Sequence, residues 1–288
     1  MRPSTLFPRN ADARLAWLLR AAAAVAAGLL LLVLVFLIVE SWPVLRHVSP
    51  LRFLGDPSWH PAAGYYNLSP MLSGTLLASL CALGLAVPLG LAAALFSVYY
   101  ALPYLARPLD RMIELMAGIP SVVYGLWGLT VLVPLIGQLR PPGASLLAAS
   151  LVLALMVLPT IALTARAALA AVPTEYLRSA AALAFTPWGT IRNVALPAAR
   201  PGIIAGVVLG AARAVGETMA VLMVAGNVVR HPDSLLAPIR TLTANIALEM
   251  AYATRDHRGA LFVSGLALMA LVLALTVLAS LFSQAHHG

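Results

Sequence analysis

Long apolar runs separated by short polar intervals make up this chain. Six of them carry few enough charges to cross a bilayer: about Leu15 to Val39, Pro70 to Leu102, Arg111 to Gly137, Ser145 to Ala170, Pro201 to Asn227 and Ala260 to Phe282. A hydrocarbon core about 30 Å thick asks for roughly 20 apolar residues in a helix, and each run meets that length. The apolar core of the first, Ala21 to Val39, is longer than the hydrophobic part of a signal peptide and predicts a retained anchor. Trp42, Trp59, Tyr65 and Tyr66 follow it, residues that suit a loop at the membrane interface. The pattern predicts an all-α, polytopic membrane protein with six transmembrane helices. Residues 1–66 form a tail, a first helix and an external loop; residues 67–288 form a five-helix core interrupted by the polar segment 172–200.

Composition sharpens this picture. The 288 residues are 61% hydrophobic and 10% charged, with a mean hydropathy of +0.93, whereas soluble domains carry about 25% charged residues. All 18 lysine-plus-arginine positions are arginine. A phosphate-cradling P-loop needs a lysine, so this chain cannot hydrolyse a nucleotide in that way, and any ATP-driven step would need a partner. The formal net charge of +8 is spread along the chain, which fits anionic lipid and argues against nucleic acid. Cys81 stands alone in an apolar run, and no histidine lies in one, so neither a metal site nor a bound cofactor is expected. Six crossings place both termini on one side. That side holds ten arginines and the other seven, which predicts cytoplasmic termini.

The candidate chemistry lies in the fifth run. Arg213 and Glu217 are four residues apart in apolar surroundings, where an ionised side chain costs about 2.5–3.5 kcal/mol at a helix centre. At that spacing they share a helix face and are expected to neutralise each other. A guanidinium also offers paired donors to an oxyanion, and Thr218 can add a hydroxyl. Two readings stand at this point: a structural ion pair that fastens the helix, or a face past which an anion moves. Gly118-Ile119-Pro120 predicts a broken third helix, with Ser121 just beyond the break and backbone amides facing a cavity. Gly202, Gly206 and Gly210 predict close helix packing.

The segment 172–200 has an order of its own. Pro173 can begin a helix, and Glu175 to Phe185 favours one. Thr186-Pro187 reads as an N-cap followed by proline at the first helical position. Leu196-Pro197 is expected to stop that second helix. Such an exposed helix–turn–helix with apolar faces wants a partner surface.

On these residues the chain resembles permease subunits of type I ABC importers. Their signature runs Glu-Ala-Ala, three residues, Gly, nine residues, Ile, one residue, Leu-Pro. Set on Leu196-Pro197, it places Arg178, Ser179 and Ala180 at the Glu-Ala-Ala positions, Ala184 at the glycine and Val194 at the isoleucine. The leading acid is thus an arginine here, and the glycine an alanine. Gly118 to Gly128 and Ala214 to Val221 are similar to signatures of the PstC-type phosphate permeases, and Met219-Ala220-Val221 separates the latter from the PstA type. The resemblance covers roughly Asn67 to Asn227. It implies the type I ABC importer permease fold in a bacterial inner membrane, importing phosphate. It further implies a PstA-like partner permease, a PstB-like ATPase in two copies and an external PstS-like binding protein. Arg213, Glu217, Thr218 and Ser121 would serve translocation. Arg178, Ser179, Ala180, Ala184, Leu196 and Pro197 would couple to the ATPase. A PstA-like subunit, a permease for molybdate or sulfate, and an anion channel are the alternatives; an intramembrane hydrolase lacks its histidine.

Overall fold

The computed structural model describes residues 9–284; Arg2 and the tail His286-His287 lie outside the described residues. Helix α1 (Arg9–His47) leads to a small extramembrane cap. The cap holds α2 (Arg52–Gly55) and a two-stranded ribbon of β1 (Trp59–His60) and β2 (Tyr65–Tyr66), antiparallel with Trp59 opposite Tyr66. Then come α3 (Ser69–Leu95), α4 (Pro103–Gly118), α5 (Ser121–Trp127), α6 (Val133–Gly137) and α7 (Leu146–Ala170). The remainder is α8 (Thr174–Ala182), α9 (Pro187–Thr190), α10 (Leu196–Gly216), α11 (Met219–Val224), α12 (Leu242–Glu249) and α13 (Arg255–Gln284). Five helices are long and apolar enough to cross a membrane, and a sixth span forms if the bent pair Pro103–Gly118 and Ser121–Gly137 is counted as one.

α7 is the hub because its small and β-branched residues bury almost all round. α3 turns Ala78, Ala82 and Ala86, one helical turn apart, into the core that α7 fills with Val152, Met156 and Val157. α10 meets α7 through its glycine stripe: a Cβ added at Gly206 would collide with the side chain of Thr164. Side chains this small let backbones approach, which is how helices gain contact where lipid offers no hydrophobic driving force. At one end of the bundle, Phe53, Trp59, Tyr66 and Leu68 of the cap pack with Leu242 and Leu261.

Two crossings depart from the sequence pattern. The third is bent by 96°. Ile119 is extended (φ −69°, ψ 128°), the conformation that the following Pro120 imposes. The Tyr124 hydroxyl donates to the Met116 carbonyl at 2.9 Å and satisfies an acceptor that the break frees. In the fifth crossing, Leu196-Pro197 does not stop the helix, contrary to expectation: Pro187–Gly216 runs unbroken for 30 residues. A π turn, Ile191–Ala195, ends two residues before Pro197, and another, Gly128–Leu132, ends two before Pro134. The wider turn accommodates the ring and the missing donor of a proline inside a helix.

Between α8 and α9 the chain makes a Schellman turn. Ala184 N–H donates to the Ala181 carbonyl (3.0 Å) and Phe185 N–H to that of Ala180 (3.1 Å), with Ala184 at φ 60°. That is the position where the importer signature carries glycine. An alanine in this conformation costs about 1–2 kcal/mol. Thr186 caps α9 as its sequence predicts, accepting from Gly189 N–H at 3.1 Å.

Candidate functional site

The two helix breaks belong to neighbouring elements. α5, which opens after the Ile119-Pro120 break, packs along α11, which opens after a break at Glu217-Thr218. Gly125 lies against Ala220 and Met223, and Gly128 against Val224, so the two helices run in the same direction. A Cβ on Gly125 would come within 2.8 Å of the Ala220 Cα, and this contact requires glycine.

Arg213 sits in the last turn of α10, half-buried. Its Nη1 donates to Thr160 Oγ1 of α7 at 3.3 Å. Among the described residues no carboxylate pairs with it. The expected Arg213–Glu217 pair therefore does not form, and the reason is local. α10 ends at Gly216, and Glu217 is extended (φ −68°, ψ 132°), so the two residues no longer share a helical face. Glu217 Oε1 instead accepts from Ala220 N–H at 3.2 Å, at the start of α11. A carboxylate there meets the positive end of the helix. The Glu217 carbonyl accepts from Thr243 Oγ1 at 2.8 Å.

Thr218 shares the break, and its Oγ1 lies 3.4 Å from the Gly216 carbonyl. Ser121 is the first residue of α5 and half-buried, and among the described residues its hydroxyl has no hydrogen-bond partner. The structure thus gathers Arg213, Glu217 and Thr218 at one break and puts Ser121 at the head of the adjoining helix, with no direct bond to them.

The residues matched to the coupling signature lie at the opposite end of α10. Arg178 and Ser179 are exposed on α8, while Ala180 is buried beneath them. Tyr176, Leu183, Phe185 and Trp188 are exposed around the turn, so its apolar face points outward. Leu196 and Pro197, with Arg192, Arg200, Leu91 and Ile203, line a cavity of about 370 Å³.

Two charged clusters lack a motif. Arg240 Nη1 donates to Glu249 Oε1 at 2.6 Å and to Asn245 Oδ1 at 3.1 Å, and its Nε to the Asn227 carbonyl at 2.9 Å. Glu249 Oε2 meets Trp59 Nε1 at 2.9 Å and His257 Nε2 at 2.8 Å, which ties the cap to the α11–α13 connection. Sequence reasoning misses this network because its members are scattered over the chain. The acidic residue in the otherwise apolar stretch Ile246–Met250 is its one visible trace. At the other end, Arg166 of α7 pairs with Asp110 at 3.1 Å and Glu114 at 3.5 Å. Glu114 thus pairs across to α7, and not with Arg111 on its own helix.

The family described as "Binding-protein-dependent transport system inner membrane component" matches residues 86–287. The phosphate transport system permease protein PstC of Xylella fastidiosa (strain 9a5c) is 36% identical over 252 residues, covering 80% of this chain and 78% of its own. The PstC protein of Mesorhizobium japonicum is 36% identical over 274 residues, covering 86% and 82%. Among solved structures, a bacterial ABC transporter for import of the acidic polysaccharide alginate matches with a TM-score of 0.68 at 13% identity, over 96% of this chain and 98% of that one. An inward-facing form of the MetNI methionine ABC transporter matches with a TM-score of 0.58 at 19% identity, over 76% and 93%. These two share the fold of the bundle. The chain belongs to the binding-protein-dependent transport system inner membrane component family, and within it to the PstC-type permeases.

Proposed function

We propose that this chain is one membrane-spanning half of an ATP-driven importer of inorganic phosphate, and that Arg213 holds the anion as it passes the α10–α11 break. The observation that carries this reading is a half-buried guanidinium inside a membrane span, bonded among the described residues to one hydroxyl and to no carboxylate. A charge there is unfavourable unless it faces water or a ligand. Its remaining donors suit phosphate oxygens. Glu217 occupies the start of α11 with its own carboxylate, which leaves the guanidinium as the cationic group at the break. It can also accept a proton-bearing phosphate oxygen, which sulfate lacks. Thr218 and Ser121 supply hydroxyls along the same path.

The remaining parts follow from the chain's own limits. It has no lysine for a P-loop, so ATP is hydrolysed by a separate cytoplasmic ATPase in two copies, docked on the α8–α9 turn through Arg178, Ser179, Ala180 and the outward apolar face. A PstA-like permease completes the path, and a PstS-like protein delivers phosphate at the cap end. The coupling end faces the cytoplasm of a bacterial inner membrane, together with both termini, in line with the arginine bias.

The test is ATP-dependent uptake of radiolabelled phosphate by reconstituted complexes. Arg213→Ala is expected to abolish uptake while leaving assembly intact, and Arg213→Lys to restore part of it, because an ammonium lacks the paired planar donors. Wild-type uptake by assembled Arg213→Ala overturns the proposal. Glu217→Gln is expected to let sulfate compete; unchanged discrimination removes Glu217 from selectivity.

A further inference from the structure

α4 is set apart from the crossing helices. It lies at 96° to the Ser121–Gly137 segment, so if that segment crosses the bilayer, α4 lies close to the membrane plane. Its 16 residues divide into three sectors at 100° per residue. Asp110 pairs with Arg166 of α7, and Ala106, Ile113 and Ala117, buried or half-buried, lie on the same side of the helix. Next to them comes a polar edge of Arg107, Arg111 and Glu114. The rest is apolar and mostly uncovered: Tyr104 is 68% exposed, Met112 62% and Leu115 73%, while Leu109 and Met116 are half-buried. The acidic residues are held by Arg166, whereas Arg107 and Arg111 are exposed, one helical turn apart, and pair with no acid among the described residues. Three arginines against two carboxylates leave this cluster with one net positive charge.

We infer that α4 is a membrane-surface helix: its apolar face lies in lipid and Arg107 and Arg111 bind the headgroups of anionic phospholipid. An apolar face bordered by arginines is the pattern of helices that lie in the interface plane. Arginine stems bury along the apolar side while the guanidinium reaches phosphate, and this is the geometry of residues at a polar–apolar boundary. The helix is anchored to the bundle on both sides, by Arg166 to α7 and by the Tyr124–Met116 bond across its far end. Headgroups gripping α4 therefore hold the base of α5.

The inference rests on the reading of this chain as membrane-spanning, and its readouts do not use phosphate transport. The assembled complex is placed in nanodiscs with and without phosphatidylglycerol, with a spin label at Leu115→Cys in a Cys81→Ser background. Oxygen is expected to reach the label better than a nickel chelate does. A label shielded from both means that the partner permease covers this face, and a nickel-accessible label means that water does; either overturns the inference. If Leu115→Cys does not assemble, Met112→Cys probes the same face. Native mass spectrometry then counts retained phosphatidylglycerol. Arg107→Gln with Arg111→Gln is expected to lower its affinity on the order of tenfold. Equal retention by wild type and the double variant overturns headgroup binding.

Discussion

Arg240 and Arg213 present the same guanidinium to different surroundings. Arg240 spends its donors on a carboxylate, an amide and a backbone carbonyl, and its carboxylate is in turn held by Trp59 and His257. Arg213 has one hydroxyl at 3.3 Å. The first is a fastener between cap and bundle. The second is left with donors to offer. On the proposed reading, that difference separates an arginine that holds the fold from one that awaits an anion.

The largest expected effect falls on the fastener. Glu249→Ala strands Arg240 in a mostly buried site and is expected to destabilise the protein by about 3–5 kcal/mol, seen as a lower melting temperature in detergent. Melting unchanged from wild type would break the comparison at its structural end. Arg213→Ala comes next: it is expected to weaken phosphate handling by about 2–5 kcal/mol, at least thirtyfold in uptake, with melting close to wild type. Should it melt as early as Glu249→Ala, Arg213 is a fastener too. Thr160→Val removes the one bond that orients Arg213 and is expected to change uptake by about 0.5–1.5 kcal/mol, or a few-fold. Gly125→Leu would show whether the α5–α11 contact positions the site, through lost uptake in protein that still assembles.

The smallest effect is expected at the exposed Arg52–Asp56 pair of the cap. Hydrogen bonds from Arg52 hold the Asp56 carboxyl below the usual aspartate range, against partial desolvation. Its contribution is therefore full above the ordinary aspartate value of about 3.9 and fades as pH falls through the lowered value. Asp56→Asn should lower melting at neutral pH only slightly, since ion pairs near the surface contribute little. An acid titration should show the variant losing less stability than wild type.

Much of the layout was legible. The second, fourth and sixth crossings end within a few residues of their apolar runs, and the glycine stripe 202–206–210 faces α7 as its spacing implies. The Thr186 cap was readable because its chemistry is local. The break after Gly216 was not, because Gly216-Glu217-Thr218 carries no proline and hydropathy continues through it. Reading Arg213 and Glu217 as a helical pair followed from assuming an unbroken helix. Leu196-Pro197 misled in the opposite sense, since the π turn Ile191–Ala195 just before it has no residue signature of its own. The Arg240–Glu249 network stayed hidden because loop closure, not spacing, brings it together.

The unbroken stretch Pro187–Gly216 has a mechanical corollary. From Thr186 to Arg213 it is a stiff rod about 40 Å long, at roughly 1.5 Å per residue. Pivoted by some ten degrees about its Thr186 end, it would sweep the guanidinium through roughly 7 Å. On the proposed reading, a modest nudge from the ATPase would be geared up into a stroke long enough to carry Arg213 from one side of a phosphate to the other.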